Sequence, residues 1–330
     1  MKDLIKKLTE AWGPSGYEHH VRKLIQEEVA DLADEVRVDA LGNLICRVGQ
    51  GDTKVMVAAH MDEIGLMATF VEPKSGYLRF SNIGGLINST LFGNRVRFED
   101  GTIGVIGLQQ VTNSNRNGSS KLDDFYIDVS DGNGGNVQPG SPAVFWREME
   151  VRGSRVIAKS LDDRIGCVVA IETMRKLAKQ TPNEVYFAFT VQEEVGLRGA
   201  RPAAHGINPD IGVALDITYS GDEIKNAKVP TRLGKGAAIK IHDAGLVVPP
   251  AVRDWMVKQA ESDGIPYQLE LITGGTTDAA GIQLAHSGVP SGCISIPCRY
   301  PHTTSETVDL NDVQACIDLL TGLLSNSVEL

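Results

Sequence analysis

Two adjacent glutamates follow an apolar run in the second half of the sequence. Glu193 and Glu194 come directly after "VYFAFTV" (185–191), which is β-branched and aromatic and carries no charge. Such a run is typical of a strand buried on both faces, as in a parallel sheet. Neighbouring strand residues point to opposite faces, so two adjacent acids fit poorly inside a packed sheet. At the end of a strand, one acid can face a metal ion and the other the water beside it.

Other apolar runs end in similar side chains. "VMVAAHMD" ends in His60 and Asp62, which point to the same side of an extended chain because they are two residues apart. Asp62 can therefore accept a hydrogen bond from the ring of His60, as carboxylates beside metal-bound imidazoles do. The two could also be an ordinary polar pair at the end of a strand. "IGVALD" ends in Asp216, and "GCISIPCRYPH" leads to His302.

Asp162 and Asp163 lie in "SLDDRIG", at the start of a predicted helix. Acids at the N-cap and in the first turn are favoured by the helix dipole, so this pair also has an ordinary structural explanation. The combination indicates chemistry more strongly, because each successive strand ends in a carboxylate or an imidazole. Two histidines and three carboxylates offer mixed nitrogen and oxygen ligands, which suit two divalent ions of the Zn²⁺ or Co²⁺ type.

Predicted helices and strands alternate on both sides of a different central segment. Alternating βα units over 1–64 and 159–330 predict an α/β domain with a largely parallel sheet in a three-layer arrangement. Residues 65–158 show no helical period, and their short alternating runs are split by Gly, Asn and Asp. That pattern is typical of a small all-β barrel or sandwich. We therefore predict a β domain inserted into one α/β domain.

Composition excludes several classes of protein. The 330-residue chain has a formal net charge of −10, and no stretch gathers Lys and Arg, which argues against nucleic-acid binding. No apolar segment approaches the roughly 20 residues of a membrane span, and the amino end lacks the apolar core of a signal peptide. Five cysteines without a CxxC pair indicate reduced thiols. These features predict a cytoplasmic protein.

Six sequence segments occur in an order that matches a known family: "AAHMDEIG", "KSLDDRIG", "VQEEVGLRGA", "ALDITYSGD", "GGTTDA" and "RYPHTTSE". Together they resemble the TET aminopeptidases, the tetrahedral cocatalytic metallopeptidases of peptidase family M forty-two. The resemblance extends from about Leu4 to Leu324 and includes the β-rich segment. It implies a three-layer αβα sheet of the zinc-peptidase type with an inserted small β-barrel.

The same resemblance implies a role for each candidate residue. His60 and Asp216 would hold one divalent ion, Glu194 and His302 the other, and Asp162 would bridge both. The peptide bond between Asp162 and the next aspartate would be cis.

Catalysis would then depend on Glu193 and Asp62. Water activated between two ions, roughly 3.5–4 Å apart in such sites, would attack the scissile carbonyl. Glu193 would accept its proton as general base and pass it to the leaving amine. Residues of "GGTTDA" would contact the substrate, namely Gly275, Thr276 and Asp278.

The resemblance further implies a substrate and an assembly. Peptides with a free amino terminus would lose their first residue, and the inserted β domain would pair subunits into dimers and a hollow tetrahedral dodecamer. The sequence departs from the family pattern at the doubled Thr276-Thr277, at "HTTSE", and at the polar stretch Thr112–Asp124, which we predict to be a mobile loop. The preferred amino-terminal residue, the native metal and the choice between dimer and dodecamer stay open.

Other functions use some of the same residues. A metal-dependent hydrolase of acylated amino acids would need the same centre. Glycoside hydrolysis is an alternative because some relatives carry an endoglucanase label, but its carboxylates must lie about 5–9.5 Å apart across a sugar. Glu193 and Glu194 do not obviously offer that, and 5% aromatic residues provide few stacking surfaces. A non-enzymatic scaffold is disfavoured because no ligand or base is lost.

Overall fold

The fold is described from a computed structural model of the chain, which covers residues 1–109, 120–129, 137–224 and 228–330. Its helices are α1 (Lys2–Thr9), α2 (His19–Val29), α3 (Leu161–Leu177), α4 (Ala200–Ile207), α5 (Pro250–Ser262), α6 (Asp278–Gln283) and α7 (Leu310–Ser325). Its first strands are β1 (Glu35–Val38), β2 (Leu44–Val48), β3 (Lys54–His60), β4 (Gly65–Val71), β5 (Leu78–Ile83), β6 (Arg95–Phe98), β7 (Ile103–Leu108), β8 (Phe125–Val129) and β9 (Pro142–Phe145). The remaining strands are β10 (Glu150–Arg152), β11 (Arg155–Ala158), β12 (Glu184–Thr190), β13 (Ile211–Tyr219), β14 (Ala237–His242), β15 (Tyr267–Leu271), β16 (Ser291–Arg299) and β17 (Glu306–Asp309).

An 11-stranded sheet forms the centre of the molecule, in the order β1-β2-β12-β3-β13-β16-β17-β11-β10, with β14 beside β16 and β15 beside β14. The four central strands β12, β3, β13 and β16 are parallel to one another. Both edges are antiparallel, because β1 and β2 form a hairpin at one edge and β10 and β11 form another at the opposite edge. The sheet is therefore parallel only at its centre and at the β14–β15 pair, and the predicted parallel character does not extend to the edges.

Helices cover both faces of this sheet. Val55 and Val57 of β3 belong to the apolar core that contains α3 and α7, whereas Met56 and Ala58 belong to the core that contains α4 and α6. Because both sets are buried, the strand is apolar from Val55 to Ala59, between Lys54 and His60. Burying one such aliphatic side chain contributes about 1.5–3 kcal/mol, which stabilises the three-layer arrangement.

The inserted β-rich segment forms a closed barrel, with the strand order β4-β5-β8-β7-β6-β9. Its interior is filled by a separate apolar cluster that includes Leu66, Val96, Ile106 and Ile127. The last two strands of the predicted insert, β10 and β11, belong to the large sheet instead, where β11 pairs with β17 and β10 pairs with β11. The barrel strands therefore end at Phe145, earlier than the predicted boundary at 158. Most of the predicted mobile loop, 112–119, lies outside the described residues.

Strand register brings the candidate residues to one edge of the large sheet. In the parallel pair β3–β12, His60 lies opposite Thr190, and the two glutamates follow Thr190 after two further residues. In the pair β13–β16, Asp216 lies opposite Ser295. Parallel strands end at the same edge, which is where α/β sheets place their ligand sites.

Candidate metal centre

The five predicted ligands lie together in two groups. In one group, His60, Asp162 and Asp216 each offer a ligand atom within 4.8 Å of the others, and in the other group Asp162, Glu194 and His302 do the same. Oδ1 of Asp162 lies 3.1 Å from Nε2 of His60, and Oδ2 of Asp162 lies 3.3 Å from Nε2 of His302. The two carboxylate oxygens of Asp162 therefore face different groups, which is the orientation that a bridging ligand requires.

The start of α3 separates the roles of the two adjacent aspartates. Asp162 has non-helical backbone dihedrals, and the peptide bond to Asp163 is cis, as the resemblance implies. Asp163 accepts hydrogen bonds from the backbone N–H of Gly166 (3.0 Å) and of His60 (3.3 Å). Asp163 therefore accepts one hydrogen bond from α3, as the ordinary structural explanation expects, and one from the end of β3. Asp162 is the aspartate that faces the two histidines.

A backbone carbonyl from the barrel segment holds the ring of His302. Nδ1 of His302 lies 2.7 Å from the carbonyl oxygen of Gly85. When Nδ1 donates to that oxygen, Nε2 keeps its lone pair for a cation. A Cβ at Gly85 would lie 3.0 Å from Nδ1, and a Cβ at Gly84 would lie 3.1 Å from Cβ of Glu194. Sequence reasoning missed this glycine pair, because "IGGL" marks a backbone without side chains but does not show which residue approaches it.

Asp62 connects His60 to both glutamates. Nδ1 of His60 lies 3.2 Å from the backbone oxygen of Asp62 and 3.4 Å from its Oδ1. The same carboxylate accepts hydrogen bonds from the backbone N–H of Glu193 (3.0 Å) and Glu194 (3.2 Å), and from the hydroxyl of Ser15 (2.6 Å). Burial opposes its ionisation, but the hydrogen bonds from His60 and Ser15 outweigh burial and lower the pKa of Asp62.

The glutamate side chains occupy different positions. Oε2 of Glu194 lies 3.7 Å from Nε2 of His302, and its Oε1 is buried without a hydrogen-bond partner. Glu193 belongs to neither ligand group, and its Oε2 lies 3.9 Å from Nε2 of His60. Desolvation is the largest cause that raises the pKa of Glu193 well above its ordinary value, and the charge of Asp216 adds to it.

These residues fit divalent cations. The carboxyl groups at the centre outnumber the imidazoles, and the acids are Asp62, Asp162, Asp163, Glu193, Glu194 and Asp216. Carboxylates this close and this little hydrated repel one another, and a cation among them removes that cost. The free Oε1 of Glu194 and the nitrogen and oxygen ligand set match the same requirement.

Glu306 is a second residue that sequence reasoning missed. Its Oε2 accepts a hydrogen bond from the backbone N–H of Asp162 (3.0 Å), and its Oε1 accepts one from the backbone N–H of His302 (2.9 Å). Burial raises the pKa of Glu306 to about 8. The residue is the last letter of "RYPHTTSE", a segment that carries the family resemblance but gave no reason to assign that glutamate a role.

A cavity of about 280 Å³ opens onto the candidate centre. It is lined by Glu193 and by every predicted ligand except His60, and Gly275 and Thr276 of the predicted substrate segment also line it. Asp278 does not. It is buried at the start of α6, where its Oδ2 accepts a hydrogen bond from a threonine hydroxyl of β12 at 2.5 Å. Two of the three predicted substrate residues are therefore at the cavity, and the third lies behind it.

The remaining histidines lie away from this centre. His19 and His20 are exposed and both contact Oε1 of Glu99, at 3.0 Å and 3.1 Å. His205 and His286 stack on each other at 4.2 Å between ring centroids. All five cysteines fall within the described residues, where they are buried and free. In the part of the chain that the structure describes, every helix is too short or too polar to cross a membrane.

Comparison with known proteins identifies the family. The profile described as M42 glutamyl aminopeptidase matches residues 42–319. The lysyl aminopeptidase of Pyrococcus furiosus is 36% identical over 341 residues, which covers 98% of this chain and 96% of that protein. An aminopeptidase structure from the archaeon Desulfurococcus kamchatkensis has a TM-score of 0.93 and 40% identity, covering 98% of this chain and 94% of that one.

A further solved structure is that of the TET1 peptidase of Pyrococcus horikoshii, with a TM-score of 0.86 and 34% identity over 98% of each chain. That peptidase is described as able to assemble into a tetrahedron or a large octahedral shell. The family profile covers most of the chain, and the similarity to these aminopeptidases extends over nearly its full length. The chain is therefore a peptidase that belongs to the M42 glutamyl aminopeptidase family.

Proposed function

We propose that this protein is a dinuclear metal-dependent aminopeptidase. The observation that carries the proposal is the carboxylate of Asp162, whose two oxygens face His60 at 3.1 Å and His302 at 3.3 Å. His60 and Asp216 would hold one ion, Glu194 and His302 would hold the other, and Asp162 would join them. Bound there, ions such as Zn²⁺ or Co²⁺ would supply a Lewis acid that polarises the scissile carbonyl and acidifies a water.

Glu193 is the proposed general base. It lines the cavity and belongs to neither ligand group, so its carboxylate is available to accept a proton. Desolvation raises the pKa of this carboxyl, which makes its carboxylate a stronger base that can accept a proton and then give it to the leaving amine. Asp62 would position this base, because it accepts a hydrogen bond from the backbone N–H of Glu193.

The cavity favours a short peptide end over the alternative substrates. Its volume of about 280 Å³ is at the lower limit of ligand pockets, which span roughly 300–1,000 Å³, and suits one residue with its amide. Among the described residues that line it, Tyr219 is the only aromatic, so stacking surfaces for a sugar chain are few. Several carboxylates around the cavity favour a cationic α-amine, which an acylated amino acid lacks.

We also propose that the protein is cytoplasmic and assembles through its barrel. Free buried thiols are consistent with a reducing compartment. Large apolar side chains are exposed on the barrel segment, including Phe70 (49%) and Phe92 (58%). An interface on the barrel would cover such side chains. The inserted segment would pair subunits into dimers, and six dimers would form a tetrahedral dodecamer.

Hydrolysis of aminoacyl-p-nitroanilides tests the activity. Wild-type protein is chelated, reloaded with Zn²⁺ or Co²⁺, and compared with Glu193→Gln and Glu194→Gln. We expect Glu193→Gln to keep its metal content and to lower kcat by roughly 10²–10⁴-fold, the usual contribution of a general base. Glu194→Gln should instead bind less metal, because it loses a ligand.

The same experiment includes the results that would contradict the proposal. Wild-type turnover that survives chelation would exclude metal-dependent chemistry. Full activity of metal-loaded Glu193→Gln would exclude Glu193 as the base. Equal turnover of N-acetylated and free aminoacyl substrates would contradict the requirement for a free amino terminus.

A further inference from the structure

The cavity continues beyond the candidate metal centre to a buried lysine. Lys240 lies on β14, opposite Glu270 of the parallel strand β15. It is 1% exposed, yet it lines the cavity together with Thr218 and Thr276. Apart from the proposed ligand His302, it is the only basic side chain among the described residues around this cavity.

The charge of Lys240 is already neutralised inside the protein. Its Nζ lies 2.5 Å from Oε1 of Glu270 and 3.4 Å from Oδ2 of Asp243, and both acids are completely buried. The hydroxyl of Thr218 donates a second hydrogen bond to Oε1 of Glu270, at 2.7 Å. Asp243 also accepts hydrogen bonds from the backbone N–H of Gly245 and of Leu246, both at 2.8 Å. Two carboxylates thus accompany one ammonium group.

The buried groups around Lys240 have hydrogen-bond acceptors in excess. Oε2 of Glu270 and Oδ2 of Asp243 are buried without hydrogen-bond partners. A substrate carboxylate brings only further acceptors and a second negative charge. It would have to take the ammonium of Lys240 away from Glu270, which would leave a buried glutamate unpaired.

Part of the cavity wall is apolar. Leu197, Ile217 and Ile272 line it from three different segments of the chain. These side chains complement an aliphatic group of the substrate. A pocket selects its ligand both by such favourable contacts and by unfavourable contacts with competing ligands, such as charged ones.

We propose that this cavity binds the side chain of the first residue of the peptide and that it accepts an uncharged apolar side chain. Glu270 makes the cavity reject an acidic side chain, because its ion pair with Lys240 already neutralises the lysine. The inference rests on the proposed aminopeptidase function, and it concerns the substrate class of the same site. It separates this chain from the glutamyl preference in the description of its family. Glu270 is a positioning residue here, because it acts through Lys240.

The test compares kcat/KM for leucyl- and glutamyl-p-nitroanilide with the full-length, metal-loaded protein. We expect kcat/KM of the wild type to be about 100-fold higher for the leucyl substrate than for the glutamyl substrate. Bringing like charges together at a desolvated site lowers binding by several factors of ten. In Glu270→Gln, Lys240 is released from its main partner, and the ratio of glutamyl to leucyl turnover should rise at least about tenfold. Glu261→Gln, at an exposed position of α5, is the matched control and should leave the ratio unchanged.

A second variant distinguishes the effect of a released lysine charge from the effect of a disturbed fold. In Lys240→Met/Glu270→Met both partners of the closer ion pair are replaced by apolar groups, which buried sites tolerate better than the loss of one partner. Asp243 loses its contact with Lys240 but keeps the backbone hydrogen bonds from Gly245 and Leu246. Its glutamyl to leucyl ratio should stay as low as that of the wild type, because it has no free cation. A rise in this variant as large as in Glu270→Gln would overturn the assignment to Lys240.

Two results for the wild type decide the inference without any variant. A glutamyl preference would overturn it and leave the proposed aminopeptidase function intact. Absence of turnover for every aminoacyl substrate would overturn both. A leucyl preference that Glu270→Gln shifts toward the glutamyl substrate would support both.

Discussion

Each histidine of the candidate metal centre is held by a backbone oxygen. Nδ1 of His302 contacts the carbonyl of Gly85 at 2.7 Å, and Nδ1 of His60 contacts the carbonyl of Asp62 at 3.2 Å. Such contacts fix the ring orientation and leave Nε2 to face Asp162. The geometry of the ligands therefore depends on the paths of two loops as much as on the ligand side chains.

At Gly85, the close approach of the backbone to His302 predicts the effect of a small substitution. In Gly85→Ala the new Cβ would lie 3.0 Å from Nδ1 and 3.1 Å from Cε1, so the ring must move. We expect metal affinity to fall by about 10–100-fold, the usual effect of disturbing a group that orients a ligand. Competition with a chromophoric chelator measures this affinity. Gly206→Ala in α4, where a Cβ meets nothing within 4 Å, is the control, and equal losses in both variants would contradict the prediction.

At the scale of elements, buried carboxylates join the ends of strands and helices that are far apart in the chain. Asp62, after β3, accepts hydrogen bonds from the backbone N–H groups of Glu193 and Glu194, after β12. Glu306, at the start of β17, accepts them from Asp162 of α3 and from the loop residue His302. The candidate centre is therefore built by loops that are held to one another, which keeps its ligands preorganised.

The ends of β13 and β16 are joined by an ion pair that should depend on pH. Arg299 contacts Asp222 through two hydrogen bonds, at 2.9 Å and 2.6 Å, and these hydrogen bonds are the main cause that lowers the pKa of Asp222 to about 2. An acid with a lowered pKa stabilises the fold above its unfolded value of about 3.9. That stability is lost as the pH falls from about 4 toward 2. Because both side chains are partly solvated, we expect about 1 kcal/mol.

Chemical denaturation of wild type and Asp222→Asn between pH 3 and pH 7 measures this contribution. The difference in the free energy of unfolding should be constant near neutral pH and should shrink as the solution is acidified below about pH 4. A difference that grows on acidification would show that the sign of the assigned pKa shift is wrong. The two-state assumption behind the comparison is checked by agreement between fluorescence and circular dichroism.

For the whole molecule, the barrel is the part that we propose as the assembly surface. It has its own apolar interior, and it exposes Phe70 and Phe92 outside that interior. The candidate centre is formed mainly by the large sheet and receives the Gly84–Gly85 segment from the inserted region. An interface on the barrel can therefore assemble subunits without displacing the ligands.

Sedimentation velocity tests the proposed assembly. We expect the wild type to sediment as a species many times heavier than its 35.5 kDa chain. Phe70→Ser/Phe92→Ser should shift it to smaller species, because the substitutions remove exposed apolar area that an interface would bury. Leu284→Ser, which changes a 73% exposed leucine outside the barrel, is the control. A wild type that is monomeric at working concentration would contradict the proposal.

Much of the candidate site could be predicted from the sequence because it lies at strand ends. An apolar run that stops at a histidine or an acid marks both the strand and its edge, as for His60 at the end of β3. At Asp216 the run stops but the strand does not, because β13 continues to Tyr219. Gly85 could not be assigned to His302 in this way, because 217 residues separate them and the contact crosses from the barrel to the large sheet. The pairing of Lys240 with Glu270 was equally hidden, since it depends on which strand becomes the neighbour of β14.

By itself, the sequence determined the elements, the α/β class with its inserted β segment, and the residue types at each strand end. Those properties arise from periodicity and composition within short stretches, so they depend only on residues that are neighbours along the chain. Only the tertiary structure decided that the oxygens of Asp162 face two different histidines. The same holds for the hydrogen bond that Asp163 accepts from Gly166 of α3 and for the neutralisation of Lys240 by Glu270. These facts depend on register and on packing across strands, where residues distant in sequence meet at distances that no local pattern encodes.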